Sequence, residues 1–277
     1  MGRQRTGAAI ALHAALIPLA LVWIAPLWMM FTYSTLPESE FYRATVPLLP
    51  STSFLDNWDV LDAQTKGNFI RALFNSAATS AIFTVLSLGL TSLAGYAFAR
   101  FRFFGRNALF TLVIATLTIP AFVVIIPQFI LIARDLKLSN TWVAVIVPPL
   151  FSSVGVFFMR QNFMTVPQDM LDAARVDGAG EFQIFRQIAL PLVVPALAAL
   201  AIILFLFSWN AFLWPLLVLS KPEIQTAPVA LGALVGLNRV FWNAIMVAAV
   251  LMTLPMLALF LFLQRYFIAG ITAGAVK

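Results

Sequence analysis

Residues 172–191 read D-A-A-R-V-D-G-A-G-E-F-Q-I-F-R-Q-I-A-L-P. They form a polar island in a 277-residue chain that is 62% hydrophobic and only 10% charged, with a mean hydropathy of +0.96. A soluble domain carries about 25% charged residues, so the solvent for most of this chain is a bilayer. The island is bounded on both sides by stretches apolar enough to cross that bilayer. It therefore reads as a loop that leaves the membrane and re-enters it.

Crossing the hydrocarbon core takes about 20 apolar residues in a helix. Six stretches meet that requirement: residues 8–33, 72–99, 108–133, 142–163, 192–219 and 241–263. Each is expected to be helical, because lipid cannot satisfy free backbone donors and acceptors. Arg160 alone among the charges interrupts a stretch, near the end of the fourth, from where it can snorkel to the interface. The expected fold is an all-α polytopic membrane protein forming one domain, residues 1–277. The cytoplasmic loop covers 164–191 and the C-terminal tail 264–277. Residues 34–69 make the longest segment outside the spans, too short for a core of its own.

With six spans, Arg3, Arg5, Arg100, Arg102, Arg106, Arg160, Arg175, Arg186, Arg265 and Lys277 fall on one side. Arg43, Lys66, Arg71, Arg134, Lys137, Lys221 and Arg239 fall on the other. Ten against seven places both termini in the cytoplasm. The apolar run after Arg3 and Arg5 continues to Phe31 without a small-residue cleavage site, so a retained first helix is expected. A net charge of +6 is scattered singly and in threes and forms no basic face, which argues against nucleic-acid binding. With no cysteine and one histidine, His13, neither a disulfide scaffold nor a histidine or thiolate metal site can be built.

The island itself has the marks of two short helices. Thr165-Val-Pro-Gln168 reads as a helix start, with Thr165 as cap and Pro167 in the first turn. Asp169 and Asp172 then lie near the positive end of the helix dipole. Gly178 is placed where a left-handed residue ends a helix, and Glu181–Ile188 can form a second helix stopped by Pro191. Two helices with a glycine elbow make a compact knob suited to a cleft on a soluble partner.

Asp172, Ala173, Ala174, Gly178, Ile188, Leu190 and Pro191 fall on the spacing [E/D]-A-A-x3-G-x9-I-x-L-P. This resembles the coupling, or EAA, loop of the membrane-spanning subunits of ATP-binding-cassette importers, with aspartate at the usual glutamate position. The tail I-A-G-I-T-A-G-A-V-K, residues 268–277, resembles the end of the carbohydrate-type permeases, the group that includes the maltose and glycerol 3-phosphate systems. The stretch S-W-N-A-F-L-W-P-L, residues 208–216, resembles that group's W-N-E-[FY]-L-W, with Ala211 where a glutamate is common.

The resemblance implies a type I importer permease fold in a bacterial or archaeal plasma membrane. It implies a second homologous permease subunit, two copies of an ATPase subunit and an extracytoplasmic solute-binding protein. The solute is expected to be a sugar or a polyol phosphate of the glycerol 3-phosphate kind. The knob would dock on the ATPase, and Gly270, Thr272, Gly274 and Val276 of the tail would touch it too. The chain has no G-x4-G-K-[ST] loop, so it is not expected to be an enzyme or to carry a cofactor. ATP and its Mg ion belong to the partner.

Polar residues within the spans are the candidates for the solute path: Asn75, Ser76, Thr79, Thr116, Thr118, Gln128, Asn210 and Asn243, with Trp209 and Trp214 able to stack on a sugar ring. Each has a competing structural role, since such side chains bond across helices and tryptophan marks the interface. An ion-coupled secondary transporter would show intramembrane carboxylates and an internal repeat, and the six stretches contain no acidic residue. An intramembrane enzyme lacks the reactive side chains it needs. A channel has no use for a coupling loop.

Overall fold

The computed structural model describes residues 2–41, 46–236 and 240–275, without the side chains of residues 2–11, 263 and 265–275. The regular structure of the described residues is helical, and the only β pairing among them is an isolated antiparallel bridge between Val235 and Val240. The helices are α1 (Gly2–Ser34), α2 (Phe54–Gln64), α3 (Phe69–Arg100), α4 (Arg106–Ala115), α5 (Ala121–Phe129), α6 (Trp142–Ile146) and α7 (Ser153–Met164). They continue as α8 (Gln168–Val176), α9 (Glu181–Ile184), α10 (Leu190–Leu192), α11 (Val194–Trp209), α12 (Leu213–Val218), α13 (Ala227–Gly232) and α14 (Trp242–Ala275).

Three of the expected spans are single helices long and apolar enough to cross a bilayer: Leu12–Ser34, Phe69–Arg100 and Trp242–Phe262. Two bent pairs also qualify: Arg106–Thr118 with Ala121–Asp135 at 93°, over the third expected span, and Glu181–Leu192 with Val194–Trp209 at 83°, whose first arm lies in the expected loop and whose second arm lies in the fifth expected span. Prolines cause both bends. Pro120 holds Ile119 extended at φ −79°, ψ 117° and offers no N–H to the preceding turn. Pro195, in the first turn of α11, likewise has no N–H for the carbonyl of Pro191, and Val193 between them takes a non-helical ψ of 16°.

The stretch at 142–163 departs furthest from a single helix. It consists of α6, an irregular segment around Pro148-Pro149, and α7. The 12 residues of α7 span about 18 Å, short of the roughly 30 Å hydrocarbon core. The stretch at 192–219 is similarly divided, with residues 210–212 separating α11 from α12. At the other end, α14 runs on past residue 263 through most of the expected tail.

By compactness the chain divides into residues 1–69 with 230–254, and residues 70–229 with 255–277. In the first unit the buried amide of Asn57 holds the chain together. Its Nδ2 donates to the main-chain oxygens of Ser34 (2.9 Å) and Leu36 (2.8 Å), and its Oδ1 accepts from Asn243 Nδ2 at 2.9 Å. Trp28 Nε1 donates to Leu48 O at 2.9 Å, tying α1 to the segment that follows.

The second unit is organised on a close approach of α3 and α7. A Cβ added at Gly95 would lie 2.7 Å from Met159 Cβ and 2.8 Å from the Arg160 nitrogen, and one at Gly155 would lie 2.8 Å from Thr91 Cγ2. Small residues at a helix contact let backbones approach closely, the usual way helices associate in lipid. Around this seam Phe83, Met159, Phe163, Leu171, Ile184, Leu200 and Leu204 form one buried cluster. The cluster reaches from the spanning helices into the 164–191 loop, so the knob shares their core.

Candidate coupling site

The knob is two helices joined by a glycine turn. Gly178 adopts φ +83°, the left-handed conformation that the sequence called for. Its N–H donates to Arg175 O at 3.0 Å, and the Ala179 N–H donates to Ala174 O at 3.0 Å. This pairing of two backbone bonds closes α8 and satisfies carbonyls that would otherwise be orphaned. A Cβ at Gly178 would meet nothing within 4 Å, so the requirement for glycine comes from the backbone angle alone.

The start of α8 differs from the expectation. Pro167 occupies the cap position, and Thr165 makes no cap bond. The Thr165 hydroxyl donates instead to Asn162 O at 2.8 Å, closing the end of α7. The second helix also differs: α9 opens into a π-helical turn at Phe185–Ala189, and the helix continues through Pro191 to Leu192. The wider turn accommodates a proline ring that would clash with the carbonyl of an α-helical turn.

Leu171 and Ala174 of α8 and Ile184, Phe185 and Ala189 of the second helix are buried, while Asp172, Ala173, Gly178 and Pro191 are exposed. The Asp172 carboxylate is engaged within the knob. Its Oδ1 accepts from Gln168 Nε2 at 3.0 Å and from Arg175 Nη1 at 2.6 Å. Arg175 Nε also donates to Glu181 Oε1 at 2.7 Å across the elbow. The Glu181 hydrogen bond, reinforced by Asp172, raises the Arg175 pKa above its ordinary value, so the guanidinium stays charged at any physiological pH. Val176 and Phe182 stand 88% and 67% exposed at the tip, apolar side chains presented outward by a polar frame.

The span polar residues fall into two groups. Asn75, Ser76 and Thr79 are buried and engaged. Asn75 Nδ2 donates to the oxygens of Glu223 (3.1 Å) and Gln225 (3.0 Å), Ser76 Oγ accepts from the Ala227 N–H, and Thr79 donates to Asn75 O. Asn243 is committed to Asn57, Trp214 Nε1 donates to Ala144 O at 2.8 Å, and Trp209 is buried with its ring stacked on Phe205. Thr116, Thr118 and Asn210 are exposed and sit at the breaks beside Ile119-Pro120 and after α11; Thr118 and Asn210 bond only to main-chain oxygens three or four residues back, while the Thr116 hydroxyl also meets Ser153 Oγ of α7 at 2.7 Å. Gln128 is half-buried on α5. Arg160 places its guanidinium over the Phe110 ring, 4.2 Å from the centroid.

Residues 87–273 match the model of the family described as binding-protein-dependent transport system inner membrane component. The chain belongs to that family. It is 40% identical to the arabinooligosaccharides transport system permease protein AraQ of Halalkalibacterium halodurans, over 94% of this chain and 93% of that one. It is 33% identical to the sn-glycerol-3-phosphate transport system permease protein UgpE of Yersinia enterocolitica, over 98% of each. In structure it is similar to a chain of a bacterial ABC transporter involved in the import of the acidic polysaccharide alginate, with a TM-score of 0.79, 24% identity, and coverage of 96% and 98%. The fold is therefore that of an importer permease, and the protein is a multi-pass membrane transport component.

Within that family assignment the matched region takes in the whole knob. Of the tail residues, Gly270, Thr272 and Gly274 lie on the helical backbone of α14, and Val276 lies outside the described residues. Arg43, Arg239 and Lys277 of the charge tally are outside them as well. Sequence reading did not single out Arg100, whose guanidinium donates to the main-chain oxygens of Phe163 and Val166 and to Gln168 Oε1 at 3.0 Å. Nothing local announces a partner 68 residues away. The spacing of Gln168, Asp172 and Arg175 at i, i+4 and i+7 does carry a signal, since such residues share a helix face.

Proposed function

We propose that this chain forms half of the transmembrane pathway of an ATP-driven importer for a carbohydrate or a polyol phosphate in a bacterial or archaeal plasma membrane. The observation that carries the reading is the knob: a rigid elbow with an apolar tip, set on the core of the spanning helices at the spacing of the EAA loop. The names of the relatives, one an arabinooligosaccharide and one a glycerol 3-phosphate permease, support the solute class.

In this reading the chain crosses the membrane six times with both termini in the cytoplasm, and the third to fifth crossings are built from broken helices. Asp172, Ala173, Ala174, Gly178, Ile188, Leu190 and Pro191 shape the surface that docks on a separate ATPase, which holds ATP and Mg. Gly270, Thr272, Gly274 and Val276 extend that contact. A second permease subunit completes the pathway, and an extracytoplasmic binding protein delivers the solute. A solved structure similar in fold, with a TM-score of 0.63, is of an alginate ABC transporter in complex with a pentasaccharide-bound periplasmic protein. Thr116, Thr118, Gln128 and Asn210 are the path residues whose polar groups are best placed to meet solute, because breaks in helices at membrane depth belong where they line a cavity.

The test is purification of the tagged chain in mild detergent with identification of what accompanies it. A second multi-span subunit and an ATPase with a phosphate-binding loop are expected, followed by ATP-dependent sugar uptake in reconstituted vesicles. Recovery of the chain alone, under conditions that preserve a control importer, would overturn the proposal.

A further inference from the structure

We infer that Arg100 is a positioning residue that clamps the cytoplasmic knob to the end of α3, so that α3, α7 and the knob transmit displacement as one body. This rests on the reading of the knob as the ATPase contact. Arg100 is the last residue of α3. From there one guanidinium nitrogen, Nη2, donates to the oxygens of Phe163, in the last turn of α7, and of Val166 just beyond it, where α-helical bonding has given way to a turn. The other, Nη1, donates to Gln168 Oε1 at the start of α8.

The connection continues without a gap. Gln168 Nε2 donates to Asp172, Asp172 accepts from Arg175, and Arg175 donates to Glu181 in the second helix of the knob. A polar relay thus runs from the membrane helix across the whole knob. Beneath it lies an apolar seat: the Tyr96 ring, one turn before Arg100, meets Phe163 edge-on at 5.3 Å and Phe185 at 5.1 Å. The seat alone is non-directional, because apolar burial fixes proximity and leaves rotation soft. The relay supplies the direction. A planar guanidinium can hold acceptors on two elements in fixed geometry, and an ammonium on a flexible stem cannot.

The consequence is specific to energy transfer. Without Arg100 the knob keeps its elbow and its seat, so it still folds and docks, but its rotation is no longer passed in full to α3. The experiment uses the assembled transporter in proteoliposomes, comparing the parent with Arg100→Gln and Arg100→Lys, and reads solute transported per ATP hydrolysed. The yield of intact complex is expected to stay at the parental level. Transport per ATP is expected to fall by about tenfold in Arg100→Gln, a coupling loss of ordinary size, with little rescue in Arg100→Lys.

A second readout uses the absence of native cysteine. Spin labels on Arg102→Cys and Arg186→Cys report the distance between the end of α3 and the knob, and the distribution is expected to broaden when Arg100 is replaced. If Arg100→Gln fails to assemble, Gln168→Ala breaks the relay at its second link and is expected to show the same uncoupling in smaller measure. An intact complex with parental transport per ATP, or with an unchanged distance distribution, overturns the inference. Failure of the parent chain to assemble with any ATPase would instead remove the functional reading beneath it.

Discussion

The α3–α7 seam and the α4–α5 bend use nearly the same apolar residues and reach opposite results. At the seam, Gly95 and Gly155 bring two backbones together, and Phe83, Met159 and Phe163 are buried around them. At the bend, Pro120 turns the chain through 93°, and Phe122, Val123 and Ile126 stand 74%, 65% and 67% exposed. Lipid offers no hydrophobic drive for helices to associate, so what decides between the two is backbone geometry. Glycine permits approach. Proline opens the helix and leaves its polar atoms in need of partners, which is how a transporter makes a site at membrane depth. The seam is the tightly packed part, and the bend is the part with its apolar and polar side chains left exposed.

The seam is most vulnerable at Gly95. Replacement by valine puts a Cβ 2.7 Å from Met159 Cβ and 2.8 Å from backbone, which cannot retreat as a flexible side chain would. Overpacking of this kind costs about 1–3 kcal/mol, and the rigid backbone here places it at the upper end. Loss of monodisperse protein on size-exclusion chromatography is expected. Gly89, on the same helix with nothing within 4 Å of an added Cβ, is the control, and Gly89→Ala should hold or gain thermal stability by up to about 1 kcal/mol. Equal damage at both positions would mean that the seam is not a close contact.

Next in size is the elbow. Gly178→Val forces a β-branched residue to φ +83°, with a direct penalty of about 1–2 kcal/mol, and strains the pair of backbone hydrogen bonds that closes α8. The chain should still insert, because the elbow lies outside the apolar stretches, while ATP-driven uptake is lost. Gly180, at φ −72°, separates conformation from crowding: Gly180→Ala is expected to transport normally. Wild-type uptake by Gly178→Val would show that the elbow is not part of the coupling surface.

How far the sequence could be read follows from the same contrast. The elbow was legible because a left-handed glycine between two short amphipathic segments has a local signature. The apolar stretches were legible as material for crossing a membrane. A break in their continuity was legible only at Pro120, whose ring can open a helix locally; hydropathy sums pass over Pro148-Pro149 and Pro195 without registering that each removes a backbone donor. The path candidates divided for a similar reason. Asn75 and Gln128 are alike in sequence terms, and only the fold reveals that the Asn75 amide answers two main-chain oxygens of a segment about 150 residues away.

That division gives a smaller, more selective prediction. Asn75→Ala removes the amide that answers the oxygens of Glu223 and Gln225 in a partly buried site, at a cost of about 1 kcal/mol, so thermal stability should fall with the solute preference unchanged. Gln128→Ala leaves no such orphan and should change stability by no more than about 0.5 kcal/mol, while raising the KM for uptake. If Asn75→Ala altered KM at full stability and Gln128→Ala did the reverse, the assignment of the bend to solute and of the α3 amide to the scaffold would be inverted.

The smallest effect tests the frame of the knob itself. If Thr165 capped α8, as its place before Pro167 suggests in sequence, Thr165→Ala would cost about 1 kcal/mol and loosen the helix that carries Asp172. The structure puts its hydroxyl on Asn162 O and gives the cap position to Pro167, which makes no side-chain cap bond and whose ring holds φ at −60°. Thr165→Ala should then change stability by less than about 0.5 kcal/mol and leave transport per ATP untouched. A full capping loss, measured as a drop in melting temperature together with weaker uptake, would move the origin of the knob's rigidity from the Arg100 side of the seam to the first turn of α8.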